Sequence, residues 1–334
     1  MKKKLFISLF LFFILLISGC GSAPKENPYS KVSLVDNIRI YFSQTSGSYN
    51  GGIDEIMVSD IQSATKSIYL AIYEMTNDKF KNALIDAFQN GVNVVIMTDD
   101  DHKDDEDMVD LKNAGIPVYD DDKSALMHNK FMILDEKILW SGSSNYTYYG
   151  FYRNNENDIR IEDENIAKYY KKQFDELITK NITPSVYLSS SVDIYFSPED
   201  DFKDKLIDLI DSANSNIYFL IYAFTDKDIA DALIRAYNRG VDVKGVFDED
   251  FNSNQYSKYD YLKNAGLDVK LDGNSFLLHD KVMIFDKKTV VTGSYNFTLS
   301  ANNDNAENSL IIKSQTIYNK YEEEFEKIYE EAKD

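Results

Sequence analysis

Two of the three histidines in this chain of 334 residues lie in stretches that repeat each other. Residues 126–147 read LMHNKFMILDEKILWSGSSNYT, and residues 277–298 read LLHDKVMIFDKKTVVTGSYNFT. Each stretch supplies an imidazole, an ammonium, a hydroxyl and an amide, which suit attack on a phosphate and binding of its non-bridging oxygens. The candidate residues are His128, Lys130, Asp135, Ser143 and Asn145 in the first stretch and His279, Lys281, Asp286, Ser294 and Asn296 in the second.

The spacing within each stretch predicts which side chains lie together. His128 and Lys130 are two positions apart in a strand-like pattern, so they point to the same side of the strand. A hairpin after this strand would bring the Ser and the Asn of Gly-Ser-x-Asn back beside them. Asp135 and its counterpart Asp286 have the opposite strand parity, which indicates a structural role for both.

Each stretch carries only half of the chemistry that a phosphodiester needs. Displacement through a covalent intermediate uses one imidazole to attack phosphorus and another to protonate the leaving oxygen. The two copies supply both if the halves pack about a pseudo-two-fold axis, with the site at their interface. An acidic residue also follows each histidine by 28 positions, as Glu156 and Glu307.

The rest of the chain is duplicated as well, which predicts two domains of similar fold. Three pairs of segments match at offsets of 149 to 154 residues: 40–43 with 194–197, 67–76 with 216–225, and 111–115 with 262–266. We assign residues 37–182 to an N-terminal half and residues 190–334 to a C-terminal half. Apolar strands alternate with helical patterns in each, so we expect an α/β fold with helices on both faces of the sheet. The tail, residues 316–333, is expected to form an amphipathic helix that corresponds to residues 166–177.

The first residues indicate a targeting signal. Residues 2–4 are lysines, and the apolar run at residues 5–17 is too short for a comfortable membrane span. Residues 17–20, Ile-Ser-Gly-Cys, resemble a bacterial lipobox, which implies cleavage before Cys20 and lipidation of its thiol. We therefore expect a signal peptide at residues 1–19, a lipidated tether at residues 20–36 and a bacterial envelope lipoprotein outside the cytoplasm.

Both repeated stretches resemble the HKD motif of the phospholipase D superfamily, and the similarity extends over nearly all of the chain after the signal. The resemblance implies a ping-pong reaction with a phosphohistidine intermediate, no cofactor and no metal. It also implies that His128 attacks and that His279 acts as acid and then as base. The remaining implied roles are phosphoryl binding by Lys130, Lys281, Asn145 and Asn296 and support of that binding by Ser143 and Ser294. Glu156 and Glu307 would each accept a hydrogen bond from a catalytic histidine and so set its tautomer.

The third histidine, His102, lies in the acidic run TDDDHKDDED at residues 98–107. Such a run could bind calcium, but we favour a solvated loop at the end of a strand. The formal net charge of −20 disfavours loose binding to polyanions.

The family resemblance leaves two substrate classes. We favour phospholipid head groups, with hydrolysis or transfer to another alcohol, and the alternative is a metal-independent endonuclease. A binding protein without activity is disfavoured by the intact His-Lys pairs. Aromatic residues follow the first motif and could meet acyl chains, stack on bases or pack in the core; they are Tyr146, Tyr148, Tyr149, Phe151 and Tyr152. We expect a monomer, held at a membrane through Cys20.

Overall fold

The computed structural model describes residues 37–45 and 50–334. The predicted signal peptide, the tether and Cys20 lie outside these residues. None of the helices in the described part is both long and apolar enough to span a membrane.

The first half contains nine strands and five helices within the described residues. The strands are β1 (Ile38–Phe42), β2 (Ser67–Ile72), β3 (Met75–Thr76), β4 (Asn93–Thr98), β5 (Val118–Asp120), β6 (Lys130–Leu134), β7 (Ile138–Gly142), β8 (Tyr146–Thr147) and β9 (Asn157–Glu162). The helices are α1 (Ile53–Ser63), α2 (Asp78–Gln89), α3 (Glu106–Asn113), α4 (Tyr148–Tyr152) and α5 (Glu164–Thr179).

The second half repeats this order of elements, except that its described residues contain no strands equivalent to the short pair β3 and β8. Its strands are β10 (Val192–Ser197), β11 (Asn216–Ile221), β12 (Asp242–Phe247), β13 (Asp268–Leu271), β14 (Lys281–Phe285), β15 (Thr289–Gly293) and β16 (Glu307–Lys313). Its helices are α6 (Phe202–Ser212), α7 (Lys227–Asn238), α8 (Tyr259–Asn264), α9 (Leu299–Asn303) and α10 (Gln315–Glu331). The expected tail helix is therefore present as α10, in the place that α5 occupies in the first half.

The two halves build the same mixed sheet of seven strands. The strand order is β1-β9-β7-β6-β2-β4-β5 in the first sheet and β10-β16-β15-β14-β11-β12-β13 in the second. The strands β2, β4 and β5 are parallel, because helices connect them, whereas β6 and β7 form an antiparallel hairpin. The expected α/β duplication is confirmed.

Helices cover both faces of each sheet, as expected. The side chains of α1, α2 and α3 pack on the outer face of the first sheet, and those of α6, α7 and α8 on the outer face of the second. The inner faces share one continuous apolar core, which also contains α5 and α10. This shared core fixes the position of one half against the other, and the candidate site lies at their interface.

The hairpin that follows each His-x-Lys has a tight turn with unusual backbone angles. Asp135 and Glu136 have φ of 53°, and Asp286 and Lys287 have φ of 50° and 58°. Two successive residues with positive φ give the turn that matches the twist of a two-residue hairpin. The predicted hairpins are confirmed, with one change: the strands begin at Lys130 and Lys281, so each histidine lies just before its strand.

Candidate active site

Each histidine is placed by the backbone of the other half. The His128 N–H donates to the carbonyl of Ala306 at 2.9 Å, and the His279 N–H donates to the carbonyl of Asn155 at 2.9 Å. Short parallel bridges between the same segments accompany these bonds. The histidines leave their own sheets because their backbone groups pair across the interface, which explains why β6 and β14 begin two residues later.

The side chains also pair across the interface between the two halves. His128 Nδ1 lies 2.8 Å from Glu307 Oε2, and His279 Nδ1 lies 2.9 Å from Glu156 Oε2. All four side chains are buried. A carboxylate at Nδ1 keeps the proton on that nitrogen and leaves the lone pair of Nε2 available for reaction. Each half therefore supplies the imidazole that the other half orients.

The motif serines hold the glutamates in place. Ser143 Oγ donates to Glu156 Oε2 at 2.6 Å, and Ser294 Oγ donates to Glu307 Oε2 at 2.6 Å. Both serines are fully buried, and neither lines the cleft. In this arrangement each serine supports a carboxylate, whereas the motif resemblance implied that it would support the phosphoryl oxygens.

The two motif lysines are buried below the histidines. Lys130 Nζ donates to the carbonyl of His128 at 2.8 Å, and Lys281 Nζ donates to the carbonyl of His279 at 2.5 Å. Burial lowers the pKa of Lys130 to about 7 and that of Lys281 to about 8, against the opposing charges of the two buried glutamates. Two ammonium groups at this depth form a strong positive field for an anion.

A tyrosine packs beneath each histidine, and sequence reasoning missed both residues. The ring centroid of Tyr73 lies 5.3 Å from that of His128, and the ring centroid of Tyr222 lies 4.9 Å from that of His279. Each tyrosine ring also lies beside the lysine ammonium of its own half. Their signal was the duplicated Ile-Tyr at the end of β2 and β11.

Both histidines and both motif asparagines line one cleft with a volume of about 650 Å³. The Oδ1 atoms of Asn145 and Asn296 are buried without a hydrogen-bond partner in the described part of the chain. The remaining lining comes mostly from the second half and includes the apolar or aromatic side chains of Tyr222, Phe251, Tyr256, Leu277 and Leu299. The cleft therefore combines both imidazoles and both motif amides with an apolar and aromatic lining that comes largely from the second half.

The protonation states differ from those of free side chains because the site is buried. Burial lowers the pKa of His128 to about 4, and the ammonium groups of Lys130 and Lys281 add to this effect. Burial also lowers the pKa of His279 well below its usual range and raises that of Glu156 to about 7. Both imidazoles are therefore neutral near pH 7, and the Glu156–His279 pair as a unit binds its additional proton at about that pH.

Asp135 and Asp286 lie at the hairpin turns, outside the cleft. The Asp135 carboxylate accepts hydrogen bonds from the N–H groups of Lys66 and Ser67 at 2.7 and 2.9 Å, and Asp286 accepts one from Ser215 at 2.8 Å. Each carboxylate thereby fastens a hairpin turn to the start of the neighbouring strand. These contacts are structural, as strand parity indicated.

His102 packs close to the site, in a less open environment than a solvated loop. Its ring centroid lies 4.6 Å from that of Tyr73, and its Nδ1 lies 2.8 Å from Asp105 Oδ2. The acidic run ends the strand β4, as expected. Phe251 takes the equivalent place against Tyr222 in the second half.

The acidic run also contributes to the position of the first histidine. Carboxylate oxygens of Asp99, Asp100 and Asp121 lie within 4.8 Å of one another. Asp99 accepts a hydrogen bond from the Met127 N–H at 2.7 Å, and Asp121 accepts one from the Asp100 N–H at 3.2 Å. Because Met127 precedes His128, the cluster braces the segment that carries the histidine.

Three of the aromatic residues after the first motif belong to the core. Tyr146, Phe151 and Tyr152 are fully buried. Tyr148 is half-buried, and Tyr149 is exposed and packs against Phe276. The idea that this group meets acyl chains or bases is therefore wrong for the three buried rings, which pack in the core of the first half.

A buried polar network joins the halves beneath the site. Asn157 Nδ2 donates to Asp280 Oδ1 at 2.6 Å, and Asn308 Nδ2 donates to Asn129 Oδ1 at 3.1 Å. Each asparagine follows one of the glutamates directly, and each acceptor lies between the His and the Lys of the other half. The network thus ties the carboxylate of one half to the imidazole of the other.

Comparison with known proteins agrees with this geometry. The family model described as cardiolipin synthase, PLD-like domain matches residues 57–178 and again residues 206–329. The chain belongs to the phospholipase D superfamily. Its two copies of the family domain correspond to the two halves described above.

Individual relatives match part of the chain. A phospholipase D of Rickettsia conorii is 39% identical over 132 residues, which cover 40% of this chain and 66% of the relative. A mitochondrial cardiolipin hydrolase of Mus musculus is 33% identical over 127 residues, which cover 38% of this chain and 58% of that protein. The chain therefore spans about two thirds or less of the length of these relatives.

A solved structure with the same fold extends over both halves. The phosphatidylserine synthase of Haemophilus influenzae superposes with a TM-score of 0.65 and covers 88% of this chain and 87% of its own. The sequence identity is 13%. That likeness concerns the fold, including the duplication.

Proposed function

We propose that this protein is a phosphodiesterase that hydrolyses the head groups of phospholipids through a phosphohistidine. One observation carries the proposal: two buried imidazoles line one cleft, and each has its Nδ1 held by a carboxylate of the other half. Nε2 is therefore the nitrogen left to react in both rings. A pair of imidazoles at one phosphorus supplies the nucleophile and the acid that the displacement needs.

The first step forms the covalent intermediate. His128 Nε2 attacks phosphorus, the bond from phosphorus to the head-group oxygen breaks, and the proton of the Glu156–His279 pair goes to that oxygen from His279 Nε2. The neutral state of His128 suits attack, since burial holds its pKa at about 4. The head-group alcohol leaves, and the phosphatidyl group remains on His128.

The second step returns the enzyme to its starting state. Now neutral, His279 takes a proton from water, the water oxygen attacks phosphorus, and the bond from phosphorus to His128 Nε2 breaks. Phosphatidate leaves and His279 is again protonated. An alcohol in place of water would give transfer of the phosphatidyl group by the same proton movements.

The phosphoryl oxygens lie against groups that carry positive charge or amide donors. Lys130 and Lys281 each use one hydrogen on a histidine carbonyl and are buried behind the cleft lining, so they act on the phosphate through their charge. Asn145 and Asn296 line the cleft on either side. Because this anion site is buried and already formed, its donors need little rearrangement as charge develops.

The shape and charge of the cleft support a lipid substrate. Apolar and aromatic side chains line the second-half side, where they can cover the glycerol backbone and the first acyl carbons. A net charge of −20 opposes a long polyanion, whose neighbouring phosphates would all be repelled. The phospholipase D of Rickettsia conorii supports the same choice. The exposed ring of Tyr256 in the cleft also suits stacking on a nucleic-acid base, so endonuclease activity is the second candidate.

The cellular setting is part of the proposal. We infer that the protein is a lipoprotein of the bacterial cell envelope, anchored through Cys20, because its first twenty residues carry the signal described above. Such an anchor would hold the cleft at a bilayer despite the negative charge. One chain supplies both imidazoles and both carboxylates, which supports a monomer.

Comparison of lipid and DNA as substrates tests the proposal. The full-length chain, purified in detergent, should release choline or ethanolamine and form phosphatidate in mixed micelles that contain EDTA. The same preparation should leave supercoiled plasmid intact, and a His128→Ala variant should do neither. Plasmid nicking without head-group release would establish the nuclease instead.

A further inference from the structure

The two halves of the site differ at one position that carries charge. Tyr73 and Tyr222 are equivalent, but the next residue is Glu74 in the first half and Ala223 in the second. Ala223 lines the cleft. The first half therefore places a carboxylate where the second half has only a methyl group.

The surroundings of Glu74 leave its charge unneutralised at short range. Its Oε2 accepts a hydrogen bond from Asn145 Nδ2 at 3.3 Å, and Asn145 lines the cleft. Glu74 is half-buried and has no ion-pair partner within 4.0 Å among residues 37–45 and 50–334. The ammonium of Lys130 is turned to the His128 carbonyl. The Glu74 carboxylate therefore lies directly behind the Asn145 amide that lines the cleft, close to the phosphate site.

We propose that Glu74 creates a subsite for a cationic head group. The head-group alcohol would carry a primary or quaternary ammonium two carbons from the phosphate. This inference rests on the proposed phospholipase function. In such a head group only two carbons separate the ammonium from the phosphate oxygen, so its charge stays near the phosphate site that Asn145 lines, and the carboxylate attracts it. A head group without a cation gains nothing from Glu74, and a second phosphate would be repelled.

The arrangement also assigns the two sides of the cleft to two parts of a lipid. Most of the apolar and aromatic side chains in the cleft belong to the second half, and the carboxylate belongs to the first. A zwitterionic phospholipid has one apolar part and one cationic part on opposite sides of its phosphate, and it matches both surfaces. The difference between the two halves would therefore bind the substrate in one orientation.

The test compares head groups that share one product. Phosphatidylcholine, phosphatidylethanolamine and phosphatidylglycerol are presented to the full-length chain at equal mole fraction in mixed micelles, and phosphatidate is measured. Wild-type protein should favour the two cationic head groups. Glu74→Gln, which keeps an acceptor for Asn145, should lower kcat/KM for them by at least tenfold more than for phosphatidylglycerol. Glu164→Gln, an exposed carboxylate on α5 that pairs with Lys168, is the matched control and should change no substrate.

The outcomes separate this inference from the proposed function. Equal losses on all three lipids would show that Glu74 only positions Asn145, and the subsite would be overturned while the phospholipase stands. No lipid hydrolysis by wild-type protein, with bis(4-nitrophenyl) phosphate still cleaved, would overturn the proposed function. In that event inhibition of the nitrophenyl reaction by phosphocholine, compared with glycerol 3-phosphate, still tests Glu74. Loss of the preference for phosphocholine in Glu74→Gln supports the subsite, and an unchanged preference overturns it.

Discussion

The Nδ1 atom of His128 lies 2.8 Å from Oε2 of Glu307, which is 179 residues later in the chain and belongs to the other half. The reciprocal pair, His279 with Glu156, closes the site in the same way. A half on its own would carry an imidazole without the carboxylate that orients it. The duplication therefore supplies more than a second histidine, because each copy completes the other.

The crossed pairing predicts which histidine responds to which glutamate. Glu307→Gln should change the ring-nitrogen signals and tautomer of His128 and leave those of His279 unchanged, because only the first ring loses its carboxylate. Turnover should fall by about 100-fold or more, because the tautomer with its proton on Nε2 has no lone pair on that nitrogen for attack. Nitrogen-15 NMR of histidine-labelled protein measures this directly, as the chain has three histidines.

The matched variant is Glu156→Gln, which should perturb His279 and spare His128. His102 provides an internal reference in both spectra, because its Nδ1 pairs with Asp105 and not with either glutamate. A change at the histidine of the same half, in either variant, would contradict the crossed assignment.

The order in which the imidazoles act can be separated with an activated leaving group. 4-Nitrophenolate leaves without protonation, so His279→Ala should still release one equivalent of it from a nitrophenyl diester and then stop. The phosphoryl group should be recovered on the peptide that contains His128. His128→Ala should give no burst and no label. Rapid quench with peptide mapping measures both quantities, and label on His279 in the His128→Ala variant would reverse the assignment.

The pH dependence of kcat/KM follows from the burial of the charged groups. His128 must be neutral to attack, and its pKa is lowered to about 4, so activity should rise through that region. The lysines must remain protonated, and burial lowers their pKa values to about 7 for Lys130 and about 8 for Lys281. The proton of the Glu156–His279 pair is also lost near pH 7. Activity should therefore fall above about pH 7.

Initial rates with a nitrophenyl diester, whose own ionisation does not change over this range, measure the profile. Thermal melting at each pH serves as the control for unfolding. A rate that climbs steadily from pH 7 to pH 9 would show that the buried lysines do not act as cations.

The sequence was sufficient for the duplicated fold and for most of the candidate site residues, since the His-x-Lys and Gly-Ser-x-Asn spacing survives in both copies. It could not show that Glu156 and Glu307 each pair with the histidine of the other half. A separation of 28 residues from the histidine of the same half is equally compatible with a contact inside that half. The contact is decided by backbone pairing across the interface, as between His128 and Ala306.

Two other features depended on packing that no local pattern records. Ser143 has the spacing of a phosphate ligand, but its burial beside Glu156 gives its hydroxyl to the carboxylate. Tyr146 and Tyr152 are of a residue type common on binding surfaces, yet both rings are buried in the core of the first half. The spacing of the polar motif residues predicted where their side chains lie. Whether an aromatic residue is exposed could be learned only from the tertiary fold.

A further difference between the halves concerns stability. Asp158 follows Asn157 in the first half, and the equivalent residue in the second half is Ser309. Asp158 is fully buried: its Oδ2 accepts a hydrogen bond from Ser144 Oγ, and its Oδ1 has no partner in the described residues. Burial raises the pKa of this carboxyl group to about 8. The first half therefore carries a side chain that must bind a proton to stay buried without charge.

This position predicts how stability changes with pH. In the unfolded chain the Asp158 carboxyl has a pKa near 3.9. The folded state therefore binds one more proton than the unfolded state between about pH 4 and pH 8, and its free energy of unfolding falls as pH rises, by up to about 1.4 kcal/mol per pH unit from this group. Asp158→Asn removes that contribution, so the variant should gain stability relative to wild type as pH rises from 5 to 8. Urea unfolding at each pH measures the difference, and Ser309→Ala, an uncharged change at the equivalent site, should shift stability by the same amount at every pH. A constant difference for Asp158→Asn would show that the carboxyl is ionised in the folded protein.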